Sequence, residues 1–272
     1  MQNAALAISA KVVRASQVRP INQARSSPGV GLDYGRWIGH FTQNRLLRPE
    51  PAWAAPVTVS REAWQPFLRS LEQFRLGDGG GPASLIAFDA ERFRSSSAEI
   101  RRIVDAWFNE EKEHARLLGC AVQRMGGRHI ESHWSFTAFC ASRRWLGVEF
   151  ELQVLLLTEI VSTGYYRVMR RHVDDQPIRD MCGLILRDEA GHVAFHLDRL
   201  AAANRPGRGV LARLWKMQFW VLGHAAATML WVNHAAGLKA LGGTRREYFR
   251  EVRREIGRFL GRLERKTNGI EV

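Results

Sequence analysis

The chain is poor in cysteine: three in 272 residues, Cys120, Cys140 and Cys182, at separations that make no C-x-x-C pair. That excludes a disulfide framework, and an odd count without a pattern fits a reducing, cytoplasmic compartment. Acid is scarce beside base, with 27 Asp+Glu against 40 Lys+Arg and a net charge of +13. Such an excess suits an acidic carrier protein, an anionic membrane surface or nucleic acid. No nucleic-acid-binding motif accompanies it, so nucleic acid is the least expected of the three. Phosphate loops are missing as well: GVGLDYG at 29–35 follows no strand and precedes no P-loop lysine. No flavin or nicotinamide motif is visible, and no alternating run pairs up as strands. The opening MQNAALAISAKVVRASQVRP lacks the clean apolar core of a secretory signal. Basic and acid-poor, it reads as a mobile arm over 1–32, with an organellar transit peptide as the alternative.

What is present is helical. A short helix is expected around Trp37–Leu47, followed by the Pro-rich connection RPEPAWAAP. Ser60 opens a helix carrying Phe67, Leu71 and Phe74 on one stripe, and LGDGGGP at 76–82 should interrupt it. A helical piece follows at about Ala83–Arg94. Ser95–Ser97 then caps a long helix that ends at Gly126–Gly127. After a crossover, RHIESHWSFTAFCAS, further helices are expected at about Arg143–His172, Ile178–Ala203 and Leu211–Leu241. The last is an amphipathic helix with Phe249, Val252, Ile256, Phe259 and Leu263 on one face and Arg on the other. The expected organisation is a bundle over 33–205 with apolar and basic C-terminal helices, 206–272, packed on it. The apolar helix approaches spanning length, but Gln218, His224, Asn233 and His234 interrupt it. A core-covering helix is the first reading, and one lying at a membrane surface the second.

Two core stripes carry polar residues where leucine belongs. One reads Ile100, Val104, Trp107, then Glu111, His114, Leu118 and Val122; the other reads Cys182, Ile185, then Glu189, His192, His196 and Leu200. Residues three apart share a helix face, so each Glu-x-x-His pair projects together into the core. One such pair is weak, because exposed helices are rich in Glu. Two in register on separate helices are a different matter, since a buried carboxylate needs a partner or a cation. A third carboxylate, Glu159, follows a solid apolar run in LQVLLLTEIVSTGYY. Counted from the turn near Asp175–Gln176, Glu159 and Glu189 differ in depth by roughly 4–5 Å, which side chains span. Glu149 and Glu151 fall further away and read as surface or helix-start residues. The first hairpin offers Asp78, about four residues off the ideal register, as fourth carboxylate. His196, Asp188 and Tyr166 are candidates for groups behind the ligands, with ordinary core packing as the alternative. Glu110 and Glu113 fall off the stripe and are expected to be solvated.

One carboxylate from each of two helices plus Glu-x-x-His from each of two others is the ferritin-like di-iron pattern. EEKEH at 110–114 and DEAGH at 188–192 resemble the paired motifs of ribonucleotide reductase small subunits, acyl-carrier-protein desaturases and rubrerythrins. A closer resemblance is to a bacterial family of ferritin-like domain proteins. It is carried by WIGHFTQNR, LEQFRLGD, EEKEHARLLG, TEIVSTGYYR and ILRDEAGHVAFH, and extends over most of the chain after about Tyr34. The sequence departs from that family at Asp78, where Leu-Gly-Glu is usual, and at Gly81, where a further acid is usual.

The resemblance implies an all-α, ferritin-like four-helix bundle with additional C-terminal helices. It implies two iron ions (or an iron–manganese pair) held by Asp78, Glu111, His114, Glu159, Glu189 and His192, with Glu111 and Glu159 as bridging carboxylates. The implied activity is O₂-dependent oxidation or oxygenation of a substrate that is lipid-like or carrier-bound, with electrons from an external donor. The rival expectation is a non-catalytic metal-binding or scaffold bundle with a basic interaction surface. Either would be cytoplasmic or peripheral to a membrane, with a homodimer left open.

Overall fold

Helix-favouring residues dominate each long segment, and short polar residues mark where helices begin. Asp33 accepts a hydrogen bond from the Arg36 amide at 2.9 Å and starts α1 (Tyr34–Leu46). The Ser60 hydroxyl accepts from the Ala63 amide at the start of α2 (Arg61–Gly79). Ser97 caps α3 (Ala98–Arg124), and Asp175 caps α6 (Gln176–Ala202) with Pro177 in the first turn, where no amide donor is needed. Thr244 and Glu247 form a reciprocal capping box at the start of α8 (Arg245–Thr267). The remaining helices are α4 (Trp134–Arg144), α5 (Val148–His172) and α7 (Gly209–Ala240). The computed structural model describes residues 31–79, 97–144, 147–205, 207 and 209–270, and among these there are eight helices and no strand. The chain is therefore all-α. The arm at 1–30, the expected helix at 83–94 and Gly81 lie outside the described residues.

One expectation needs correcting. The crossover after α3 contains a helix of its own, α4, which takes Arg143 and Arg144; α5 begins only at Val148, after Gly147 at φ 81°. The described part of α2 ends inside LGDGGGP, the run expected to interrupt it. The helix continues to Gly79, so Asp78 keeps helical geometry in the last turn. Gly77 and Gly79 weaken a helix by roughly 1 kcal/mol each, and packing of α2 along α3 offsets that.

Four long helices, α2, α3, α5 and α6, surround one polar centre. α2 packs on α3, α5 on α6, and α3 on α6. The main core joins Phe67, Leu71 and Phe74 of α2, Leu117 and Leu118 of α3, Ile160 and Tyr165 of α5 and Ile185 of α6. A smaller cluster of Trp37, Phe41, Ile103, Trp107, Phe108 and Phe195 seats α1 across α3 and α6. The C-terminal pair covers the other side: α7 lies on α2 and α5, and α8 on α5 and α6. Gly237 permits the α2–α7 crossing, because a Cβ there would meet Ser70 Cβ at 2.9 Å and Pro66 O at 3.0 Å.

The Pro-rich connection after α1 is pinned by one buried ion pair. Arg124 donates to both oxygens of Asp175 at 2.9 Å and to the carbonyls of Trp53, Ala55 and Pro56. Among the described residues no helix is long and apolar enough to cross a membrane. α7 nevertheless presents two faces. Phe219, Ala227, Trp231 and Leu238 are buried, whereas Val210, Leu214, Met217, Val221 and Val232 are exposed.

Candidate metal centre

Each of the four surrounding helices delivers acids or imidazoles to one place. α3 supplies Glu110, Glu111 and His114; α5 supplies Glu159; α6 supplies Asp188, Glu189, His192 and His196; α2 supplies Asp78 from its last turn. His114, His192 and His196 are fully buried, and Glu159 and Glu189 nearly so. Ligand atoms of Glu111, Glu159 and His192 lie within 4.8 Å of one another, and this Glu/His cluster could hold a metal ion.

The two imidazoles face inward through Nδ1 and outward through Nε2. Glu111 lies between them, with Oε2 3.6 Å from His114 Nδ1 and Oε1 3.1 Å from His192 Nδ1. Glu189 does the same, at 3.9 Å from His114 Nδ1 and 3.7 Å from His192 Nδ1. Glu159 sits to one side: Oε1 is 3.7 Å from His192 Nδ1 and Oε2 is 3.7 Å from His196 Nε2. Glu189, rather than Glu159, thus joins Glu111 between the two imidazoles. The reason is helical pitch, since a glutamate three residues before a histidine on the same helix lies beside that ring, whereas α5 approaches from one flank. Asp78 borders the same cavity as Glu111, Glu159 and Glu189.

The electrostatics follow from burying several acids together. Burial pushes Asp78, Glu159 and Glu189 above the usual carboxylate range, and the Glu111 charge adds to the effect on Asp78 and Glu189. Burial acts on Glu111 too, but the His114 and His192 rings outweigh it and hold its carboxyl low. Burial likewise disfavours charge on both imidazoles, yet the acids around them win. Asp188 and Glu111 raise His114, while Glu110 and Glu111 raise His192. His196 goes the other way, lowered by burial and then by the nearby Arg199.

Several buried polar atoms here have no hydrogen-bond partner: Nδ1 of His114 and His192, both Glu159 oxygens, Glu189 Oε2 and the Tyr166 hydroxyl. Orphaned atoms of this kind are rare and call for an explanation such as an ion. A cation supplies one. Four carboxylates (Asp78, Glu111, Glu159, Glu189) and two neutral imidazoles make a donor set whose negative charge two divalent ions would balance. The residues fit a bound metal ion.

Behind the inner groups stands a second layer. His114 Nε2 lies 3.2 Å from Asp188 Oδ2, and His192 Nε2 lies 2.9 Å from Glu110 Oε2. Each pair fixes the ring so that Nδ1 points inward. Glu110 is therefore 3% exposed rather than solvated. The surface expectation fails because the buried arc of this helix is wider than the stripe and includes Ile103, Trp107, Glu110, His114, Leu117 and Ala121 at three- and four-residue steps. Glu151 is buried as well, in the first turn of α5, and Glu149 is exposed.

Sequence reasoning missed the group that links this layer. Arg48, from the connection after α1, has a buried side chain, with Nη2 2.7 Å from Asp188 Oδ2 and 3.7 Å from Glu110 Oε1. Asn44 donates to Asp188 Oδ1 at 3.2 Å, and Arg187 donates to the Leu47 carbonyl at 2.8 Å, tying the connection down. The available signal was one arginine among many, in RLLRPEP, with nothing in its spacing to mark it. Tyr166 lies beside the cluster, its hydroxyl pushed up by burial and by Asp78 and Glu189.

Compared with protein-family models, with curated proteins and with solved structures, the chain matches none.

Proposed function

We propose that this protein is a ferritin-like di-iron (or iron–manganese) carboxylate oxidoreductase that uses O₂ to oxidise or oxygenate a substrate held beside the cluster. The observation that carries the reading is the pair of inward-facing Nδ1 atoms, His114 and His192, with Glu111 and Glu189 between them. Glu111 and Glu189, between the imidazoles, would hold the metal together with Asp78, His114, Glu159 and His192. Nitrogen and carboxylate donors suit iron and manganese, which when bound and reduced supply the two-electron activation of O₂.

The chain's own contribution is positioning and exclusion of water. Asp188 and Glu110 accept from the outer nitrogens of His114 and His192 and hold the rings in place. Trp107, Phe41 and Phe195 pack around His192 and His196 and keep bulk water from that side. For an oxygenation the balance is substrate C–H plus O₂, two electrons and two protons, giving alcohol and water. The electrons require an external donor. A second cavity of about 460 Å³, lined by Arg167, Arg258 and Arg262 among others, reaches Glu189 from the α6–α8 side. Its cations suit an acidic donor protein.

The test is anaerobic reconstitution with ⁵⁷Fe(II), metal analysis, then Mössbauer spectroscopy after exposure to O₂. About two irons per chain and a coupled diferric signal are expected. Protein that retains no iron or manganese refutes the reading and leaves a scaffold bundle as the alternative.

A further inference from the structure

A cavity of about 430 Å³ opens off the carboxylate cluster, within the roughly 300–1,000 Å³ of small-molecule sites. Asp78, Glu111, Glu159 and Glu189 stand at one part of it. From there it follows a stripe of α5 that includes Thr158, Leu155, Val154 and Phe150. Phe150 precedes Glu159 by nine residues, so the cavity runs roughly 13–14 Å along the helix from the carboxylate. α7 lines it at three- and four-residue steps, Leu222, Ala226, Met229 and Asn233, and α4 contributes Phe136 and Phe139. Its shape is a channel between helices.

The charge of the lining is the informative part. The sequence holds 40 Lys+Arg, yet none of them lines this cavity among the described residues. Among the described residues that line it, the charged ones are the acids of the cluster. Along the α5–α7 stretch beyond the cluster, a carboxylate or phosphate would be buried with no lysine or arginine of the described residues to pair it, in surroundings of low dielectric. His234, on the wall, is fully neutral at ordinary pH, because burial pushes its imidazole down to about 3. The part of a ligand that enters must be uncharged and apolar, and the length of the channel favours a chain over a compact ring. Polar side chains that could meet a head group, Asn233, His133 and Ser135, are only half-buried.

We propose that the channel binds a long alkyl chain, as in a fatty acid or fatty alcohol, laid along α5 and α7 with its polar head outside and a mid-chain carbon beside Glu111 and Glu159. The inference rests on the oxidative reading for its chemical purpose, but its binding claim is tested separately.

The experiment is fluorescence titration with cis-parinaric acid, a polyene fatty acid, on protein reconstituted anaerobically with Fe(II), with iron measured in the same samples. Saturable binding is expected, displaced alike by palmitic acid and by hexadecanol, but not by benzoate. Ala226→Trp, inside the channel, and Met229→Trp, at its partly exposed edge, should each weaken binding about tenfold or more at unchanged iron content and helicity. Val221→Trp, on the outer face of the same helix, should leave it within about twofold. Absence of saturable binding on iron-loaded protein overturns the proposal. So does binding that neither inward variant changes, which would place the probe on the exposed stripe of α7. Displacement by benzoate would assign a compact aromatic ligand instead. Binding that is sensitive to the inward variants in protein that holds no iron would support the channel and refute the metal reading.

Discussion

Arg48 and Asp188 meet at 2.7 Å behind the cluster, and through that contact a loop arginine reaches the imidazole of His114. The same guanidinium lies 3.7 Å from Glu110, which holds His192. One guanidinium therefore contacts the outer carboxylates of both halves. The arrangement explains why α1 and its trailing connection belong to the site, although no ligand comes from them.

Removing that cation should loosen both imidazoles at once. Arg48→Met is expected to weaken iron binding by roughly 10–100-fold, the usual effect of losing a group that orients a ligand. The loss of stability should be about 2–3 kcal/mol, below the roughly 3–5 kcal/mol typical of a broken buried pair, because Asn44 and Arg187 still reach Asp188. Competition with a chelator and chemical denaturation measure the two effects. An Arg48→Met protein with unchanged iron affinity would show that the rings are held without it.

Glu159 illustrates the cost of a preformed site. Burial raises its carboxyl, and Glu189 and Glu111 add repulsion, so in metal-free protein it opposes folding at neutral pH. Glu159→Gln should raise the melting temperature of the metal-free protein while lowering the stabilisation produced by Fe(II), which follows from binding linkage. Differential scanning calorimetry with and without metal checks both signs. A metal-free protein destabilised by the change would contradict the electrostatic account.

Metal affinity should depend on pH through the two imidazoles. The surrounding acids raise His114 and His192 above their ordinary value, so protons must leave before Nδ1 can bind a cation. Affinity is expected to rise with pH from about 6.5 through the raised values and then level off, with proton release on binding. Isothermal titration in buffers of different ionisation enthalpy counts those protons. No buffer dependence at pH 7 would mean that the imidazoles are already neutral.

Stability should fall in acid for a reason unrelated to metal. His234 is buried against Phe74, with Ser70 2.9 Å from its Nδ1, and burial lowers its folded value to about 3. The unfolded imidazole takes up a proton near pH 6.5, so His234 opposes folding progressively as pH drops from there toward 3. Between pH 6.5 and 5 that amounts to about 2 kcal/mol. His234→Gln should flatten this part of the metal-free stability profile. An unchanged slope would assign the acid sensitivity to other groups.

Much of this was legible before any coordinates. Two Glu-x-x-His pairs on apolar stripes required buried acids, because the 3.6-residue period forces Glu111 and His114, like Glu189 and His192, onto the core face. Glu159 stood out since an apolar run buries whatever interrupts it. The all-helical class, the helix starts at Ser60 and Ser97, and the buried stripe of α8 follow from the same local rules. Tertiary structure alone decided what depends on contacts between distant segments. It brought Arg48 to Asp188 across 140 residues, buried Glu110 against His192, put Glu189 rather than Glu159 between the imidazoles, and opened a channel between α5 and α7 that none of the described lysines or arginines lines. Periodicity reports which face of a helix is buried; which partner that face meets, and at what depth, is set by packing between helices that the sequence places far apart.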